Sequence, residues 1–155
     1  MTIRPAAEKD LAAAAALAAL LWPESDPAAL LEEYRALLDS GEGALFLAAE
    51  GGAEAGFAQV QLRHDYVEGT ITSPVGYLEG VYVREEARGR GVAKALLRAC
   101  EAWAAARGCR EFASDCELDN GGSLAFHLHT GFTEANRIIC FTKPLTPERG
   151  ETHEY

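Results

Sequence analysis

The sequence is poor in several things, and each shortage removes a class of function. It has 14 Lys and Arg against 24 Asp and Glu, a formal net charge of -10. A nucleic-acid binder would carry a basic face, so this balance argues against one. Cys100, Cys109, Cys116 and Cys140 contain no CxxC pair. His64, His127, His129 and His153 do not complete a zinc pattern beside them, so no metal is expected. No apolar run is long enough for a bilayer; residues 11–22 are apolar but fall well short of about 20 positions. The first ten residues lack a basic stretch followed by an apolar one, so no secretory signal is read there. Together these features predict a cytoplasmic protein with free thiols. There is no internal repeat, no linker and no GK[ST] or GxGxxG phosphate loop.

What is present is a chain of 155 residues, 48% hydrophobic and 25% charged. That suits one domain with one substantial core, read here as residues 1–143 followed by a polar tail at 144–155. Residues 2–5 read as an opening strand. Residues 6–22, rich in Ala and Leu, read as a helix stopped by Pro23. Asp26-Pro27 restarts a helix as N-cap and first-turn proline, and Gly41 ends it. Residues 44–50 and 55–63 pair as a hairpin around Gly51-Gly52. Residues 77–83 carry the clearest strand signal, followed by an amphipathic helix over 91–107. A short strand at 111–115, a helix at 123–130 and strands at 132–134 and 138–143 complete an α/β (α+β) arrangement, helices packed on a mixed sheet.

Charge is unevenly placed along this scaffold. Arg84, Arg88, Arg90, Lys94 and Arg98 lie within fifteen residues, a basic cluster in an acidic chain. It surrounds Arg88-Gly89-Arg90-Gly91-Val92-Ala93, which follows the clearest strand and opens the amphipathic helix. Glycines there let backbone N–H groups approach a ligand closely, and a helix N-terminus adds unpaired donors and partial positive charge. The expectation is a pyrophosphate cradle assisted by Arg84, Arg88 and Arg90. Elsewhere Asp65, Glu68, Glu79 and Asp115 fall at strand ends and in a loop, where they can line a cleft for a cation. Glu79 interrupts an otherwise apolar strand and needs a partner or water.

Arg88-x-x-Gly91-x-Ala93 resembles the [QR]-x-x-G-x-[GA] motif of the GNAT acetyltransferase superfamily. Residues 83–88 look like the V-x-P-x-x-R approach to it. Asn120, Ser123, His127 and Gly131-Phe132 fall at the spacing of the superfamily's second conserved helix. Six further stretches resemble the aminoglycoside 6'-N-acetyltransferases: 64–69, 73–75, 78–80, 88–92, 108–111 and 113–115. The likeness runs from about residue 3 to 143. It implies a GNAT fold, with a mixed, mostly antiparallel sheet of six to seven strands flanked by about four helices. It implies acetyl-CoA as co-substrate, held by Val81, Val83, Arg88, Gly89, Arg90, Gly91, Val92, Ala93, Asn120 and His127, and no metal.

The resemblance also implies an acceptor site for a polycationic antibiotic, built from Trp22, Asp65, Tyr66, Glu79, Asp115 and the position of Asn136. The reaction is expected to be direct attack of the amine on the thioester. Glu79 is the expected general base, Asp115 orients substrate or shares that role, and the Val81 amide stabilises the oxyanion. Gly80 is expected to permit a bulge. His127 stands where many members carry a proton-donating Tyr, and either proton donation or packing is open to it. Asn136 departs from the carboxylate some of these enzymes have. The resemblance implies a homodimer, with residues 138–143 pairing across an interface. Two other readings remain open on the residues alone: a GNAT enzyme for a polyamine or protein N-terminus, and a non-catalytic acyl-CoA sensor.

Overall fold

The computed structural model describes residues 1–147. It contains strands β1 (Thr2–Pro5), β2 (Gly43–Glu50), β3 (Ala53–Arg63), β4 (Val75–Val83) and β5 (Phe112–Ser114). Its helices are α1 (Leu11–Leu21), α2 (Pro27–Ser40), α3 (Val92–Ala106) and α4 (Gly121–His129). The strands form one sheet in the order β1-β2-β3-β4-β5. The first three pairings are antiparallel and β4–β5 is parallel, so β5 is reached by crossing over through α3.

The helix boundaries follow from capping. In α2, the Asp26 side chain accepts from Ala28 N–H at 3.3 Å, Pro27 occupies the first turn and Gly41 closes the helix at φ 70°, as the sequence predicts. The first helix begins at Leu11 rather than residue 6, because a 3-10 turn at Glu8–Asp10 precedes it. There Asp10 accepts from Ala7 N–H at 2.9 Å and pairs with Arg4 at 3.0 Å, tying the turn back to β1.

Side-chain alternation divides the core into two layers. Leu45, Leu47 and Phe57 face α1 and α2, packing on Leu11, Leu17 and Tyr34. Ala44, Phe46, Ala48, Ala58, Val60 and Leu78 face α3, packing on Leu96, Leu97 and Cys100. Central strands buried on both faces read as nearly continuous apolar runs, as the Ala-Leu-Phe-Leu-Ala-Ala stretch of β2 does.

Five strands form among the described residues instead of the expected six to seven. Residues 132–134 and 138–143 take no strand geometry. Ile138, Ile139 and Phe141 are 65%, 80% and 87% exposed. A strand needs a neighbour to pair its backbone groups, and among the described residues β5 has no partner on its outer edge. Of the expected polar tail, residues 148–155 lie outside the described residues.

Candidate active site

The site is created where β4 parts from β5. Their pairing ends at Leu78 and Ser114, while β4 runs on to Val83 with only β3 beside it. At the parting point β4 carries a bulge: Gln59 pairs with Gly80 and Val60 with Leu78, so Glu79 is the extra residue. The bulge expected from Gly80 is therefore present. It also changes which edge each amide faces. Gly76 N–H donates toward β5, to Glu111 O at 3.1 Å, but Arg84 N–H donates toward β3, to Ala55 O at 2.8 Å. Eight residues apart on a regular strand, both would face the same edge. The extra residue absorbs the change, and the N–H and C=O groups of Val81 and Val83 face the open edge. Val83 O there accepts from Arg88 Nε at 2.9 Å.

The turn into α3 lies just beyond. Gly89 and Gly91 both have φ 78°, a conformation that favours glycine, and a Cβ at either would meet nothing within 4 Å. The backbone is thus open to a ligand on that side. Helix α3 begins without a side-chain cap, and the N–H groups of Val92, Ala93 and Lys94 have no intrahelical acceptor. The arginines are partly committed to the scaffold. Arg84 Nε donates to Glu54 O at 3.0 Å, Arg88 Nε to Val83 O, and Arg90 donates to Glu86 O at 2.8 Å and pairs with Glu50 at 3.2 Å. They brace the turn, and the donors aimed outward are chiefly backbone amides.

On the α1–α2 face of the sheet, at the bulge, lies a cavity of about 520 Å³ lined by Arg63, His64, Asp65, Tyr66 and Glu79, with Gln61 and Leu62. Glu79 does not stand alone. Arg63 Nε donates to Oε1 at 3.1 Å, and its Nη2 donates to both carboxylate oxygens at 2.9 Å. The same guanidinium lies 3.5 Å from the centroid of the Tyr77 ring. The Tyr77 hydroxyl donates to Asp115 at the end of β5, and burial together with Asp115 raises its pKa, holding it as a neutral donor. Trp22, at the end of α1, lies over Gly80 and meets Phe57 edge-on at 6.2 Å. It packs against the bulge that carries Glu79.

Asp65 and Tyr66 are exposed on the loop after β3, Tyr66 at 78%. That loop is fastened at both ends. Glu68 accepts from Tyr66 OH at 3.3 Å and from Asn136 Nδ2 at 2.9 Å. Glu111 accepts from the N–H groups of Ile71 and Thr72 at 2.9 and 2.8 Å and from the Thr72 hydroxyl. These donors hold the Glu111 carboxyl below the usual carboxylate range. The structure thus brings Trp22, Asp65, Tyr66 and Glu79 to one face, joins Asp115 to them through Tyr77, and ties Asn136 to the loop rather than to Glu79.

At α4, the Asn120 side chain caps the helix, accepting from Ser123 N–H at 3.1 Å. His127 Nδ1 lies 2.7 Å from Ser123 O, which makes it the donor, and Nε2 lies 2.8 Å from Ser114 Oγ at the parting of β4 and β5. The ring also packs edge-on against Phe126 and Phe132, so it is both packed and linked to the open edge. Burial pushes the Cys100 thiol up to about 12, leaving it inert. Among the described residues no group of three or more His, Cys, Asp or Glu could hold a metal ion, and no helix is long and apolar enough to cross a membrane.

Sequence reasoning passed over Arg63, Tyr77 and Glu111. Alternation of Gln59, Gln61 and Arg63 on one face was the available signal for Arg63; nothing local marked Glu111 as a loop clasp.

A sheet parted beside a bulge, with an uncapped glycine turn below it, sets an open strand edge beside an anion cradle. The model of the acetyltransferase (GNAT) family matches residues 12–132, and the chain belongs to that family. It is 49% identical over 147 residues to the aminoglycoside N(6')-acetyltransferase type 1 of Stenotrophomonas maltophilia, covering 94% of this chain and 95% of that protein. It is 41% identical over 145 residues to the protein of the same name from Acinetobacter genomosp. 13, covering 94% and 99%. Among solved structures, AAC(6')-Iy in complex with the bisubstrate analogue CoA-S-monomethyl-acetylneamine superposes with TM-score 0.89 at 38% identity, covering 93% of this chain and 98% of that one. The apo 6'-N-acetyltransferase AAC(6')-IG of Acinetobacter haemolyticus gives 0.88 at 39% identity, covering 94% and 100%.

Proposed function

We propose that this chain, as one catalytic domain over residues 1–143, transfers an acetyl group from acetyl-CoA to the 6'-amine of an aminoglycoside, conferring resistance. The observation that carries this reading is the adjacency of two half-sites at the bulge. An acidic cavity with Glu79, Asp65 and a linked Asp115 opens on one side, and the open β4 edge with the α3 turn lies on the other. The relatives named above act on the same class of substrate.

The residues fit the co-substrate. Open Cβ positions at Gly89 and Gly91 and the free amides up to Ala93 suit a pyrophosphate, with Arg88, Arg90 and Val92 shaping the turn. When bound, acetyl-CoA supplies an activated acyl carbon. The Val81 N–H, turned to the open edge, is the donor for the oxyanion, and Val83 aligns the neighbouring chain. Glu79 takes the proton from the acceptor amine, directly or through water. Asp115, Asp65, Tyr66 and Trp22 orient the polycation, with Asn136 acting through Glu68. His127, held by Ser123 O and packed on Phe126 and Phe132, positions the Ser114 hydroxyl where β4 and β5 part, and Asn120 fixes the start of α4.

We place the enzyme in the cytoplasm, where acetyl-CoA is made and the cysteines stay reduced. The exposed apolar run at 138–143 pairs with a second copy as a homodimer.

Thiol release from acetyl-CoA with kanamycin, tobramycin and amikacin tests the reaction, against an analogue bearing a hydroxyl at the 6' position. Release that requires the 6'-amine supports the reading. Release that ignores it, or none with coenzyme A still bound, refutes it. Glu79→Gln is expected to lower kcat about 10²-fold; a near-wild-type rate removes Glu79 as the base.

A further inference from the structure

We propose that Arg63 is the resident cation of the acceptor cleft, exchanged for a substrate ammonium when the aminoglycoside binds, and that it thereby sets which cations are accepted. The inference rests on the function proposed above.

Four observations carry it. A carboxylate offers about four lone-pair positions, and Arg63 fills three of those on Glu79. The Glu79 side chain is only 20% exposed, so little of it is left open beside the guanidinium. Second, Arg63 covers the face of Tyr77 at 3.5 Å, and an aromatic face beside a carboxylate also attracts a cation. Third, Tyr77 does not depend on Arg63 for its place, because Asp115 holds its hydroxyl. The ring and the carboxylate therefore form a cation site that stays assembled when the guanidinium leaves. Fourth, the Arg63 side chain is 41% exposed, so it can swing into water at modest cost.

The remaining groups facing Glu79 do not supply an alternative cation. The loop contributes Asp65 and Tyr66, β5 contributes Asp115 beyond Tyr77, and α1 contributes the uncharged Trp22. His64 turns its Nε2 to Glu42 at 2.6 Å. A neutral sugar cannot replace the guanidinium, and a single weak cation competes poorly with a contact that is both paired and stacked. A polyamine sugar, which anchors on Asp65 and Asp115 as well, can displace it.

Two readouts test this. In protein labelled with 15N-arginine, Arg63 Nε–H is expected to give a protected resonance in the free enzyme that shifts or broadens away with saturating kanamycin. Arg63→Gln identifies the resonance. In kinetics, Arg63→Gln is expected to lower KM for kanamycin about two- to fivefold, because no internal competitor remains. It should leave KM for acetyl-CoA unchanged, and Arg63→Lys should return KM toward wild type.

A raised kanamycin KM in Arg63→Gln, or an Arg63 signal that kanamycin does not move while turnover proceeds, overturns the exchange and leaves the acetyltransferase reading intact. An Arg63 signal displaced by kanamycin without acetylation supports the exchange and refutes the proposed reaction. If Arg63→Gln does not fold, the response of the wild-type resonance decides alone, identified by its loss in Arg63→Lys.

Discussion

Gly80→Ala probes the bulge through one methyl group. A Cβ at Gly80 would lie 2.6 and 2.7 Å from Cη2 and Cζ2 of Trp22 and 3.0 Å from Cδ2 of Leu21. Leu21 Cδ2 can give way, but the Trp22 ring is rigid and does not move aside freely. The indole is also edge-on to Phe57, which is fully buried, so retreat in that direction is blocked. Inserting a methyl group into such a contact costs about 1–3 kcal/mol, which for a chain of this size lowers Tm by about 2–12 °C. The origin of the cost is checked by a double-mutant cycle in calorimetry. With Trp22→Ala as background only the Leu21 Cδ2 contact at 3.0 Å remains, at the end of a flexible side chain, and Gly80→Ala should then cost less than about 1 kcal/mol. Activity supplies a second readout. If relief of the clash shifts the strand instead of the indole, the Val81 amide leaves its place and kcat falls about 10²-fold or more. Equal stability costs for Gly80→Ala in both backgrounds would refute the reasoning, because the methyl group would then be meeting something other than Trp22.

Two further outcomes follow from the turn and the loop. Gly91→Asp and Gly91→Asn share a shape and both tolerate positive φ, so the difference between them isolates charge. The aspartate is expected to bind acetyl-CoA at least about tenfold more weakly than the asparagine by calorimetry, from like-charge repulsion at a pyrophosphate; equal affinities would move the cradle elsewhere. Glu111 has its folded-state pKa lowered by the Thr72 and Ile71 donors, so the stability it contributes is present above the ordinary glutamate value of 4.5 and is lost as pH falls through its lower folded value. The Tm gap between wild type and Glu111→Gln should be full at pH 7 and close progressively below 4.5, with a raised aminoglycoside KM at pH 7. A gap independent of pH would rule out the ionised clasp.

The elements that local chemistry dictates were legible in advance. Asp26, Pro27 and Gly41 bound α2 by capping alone, and Gly51-Gly52 makes the β2–β3 hairpin with both glycines at positive φ. Gly80 marked the bulge because a strand interior rarely tolerates glycine without a close neighbour. Contacts between distant residues were not legible. Arg63 reaches Glu79 only because of the β3–β4 register, which the bulge itself resets. Tyr77 reaches Asp115 across 38 residues, and Glu111 reaches Thr72 across 39; both depend on β5 returning parallel to β4. The run at 138–143 reads as a strand by composition, yet composition names no partner, and among the described residues it finds none.

An acidic cleft that waits for a polycation is costly while empty, because its carboxylates repel one another and each loses water to its neighbours. The net charge of -10 draws substrate in but deepens that cost. Arg63 offsets it locally without closing the site. Its pairing with Glu79 is partly exposed, and a pair of that kind is weak enough for a substrate amine to break. A buried pair would stabilise the empty enzyme more and would resist exchange. Hence the half-exposed position of the guanidinium, stacked on a ring that Asp115 keeps in place, reconciles two demands on one carboxylate: a partner when the cleft is empty, and freedom to accept a proton when it is full.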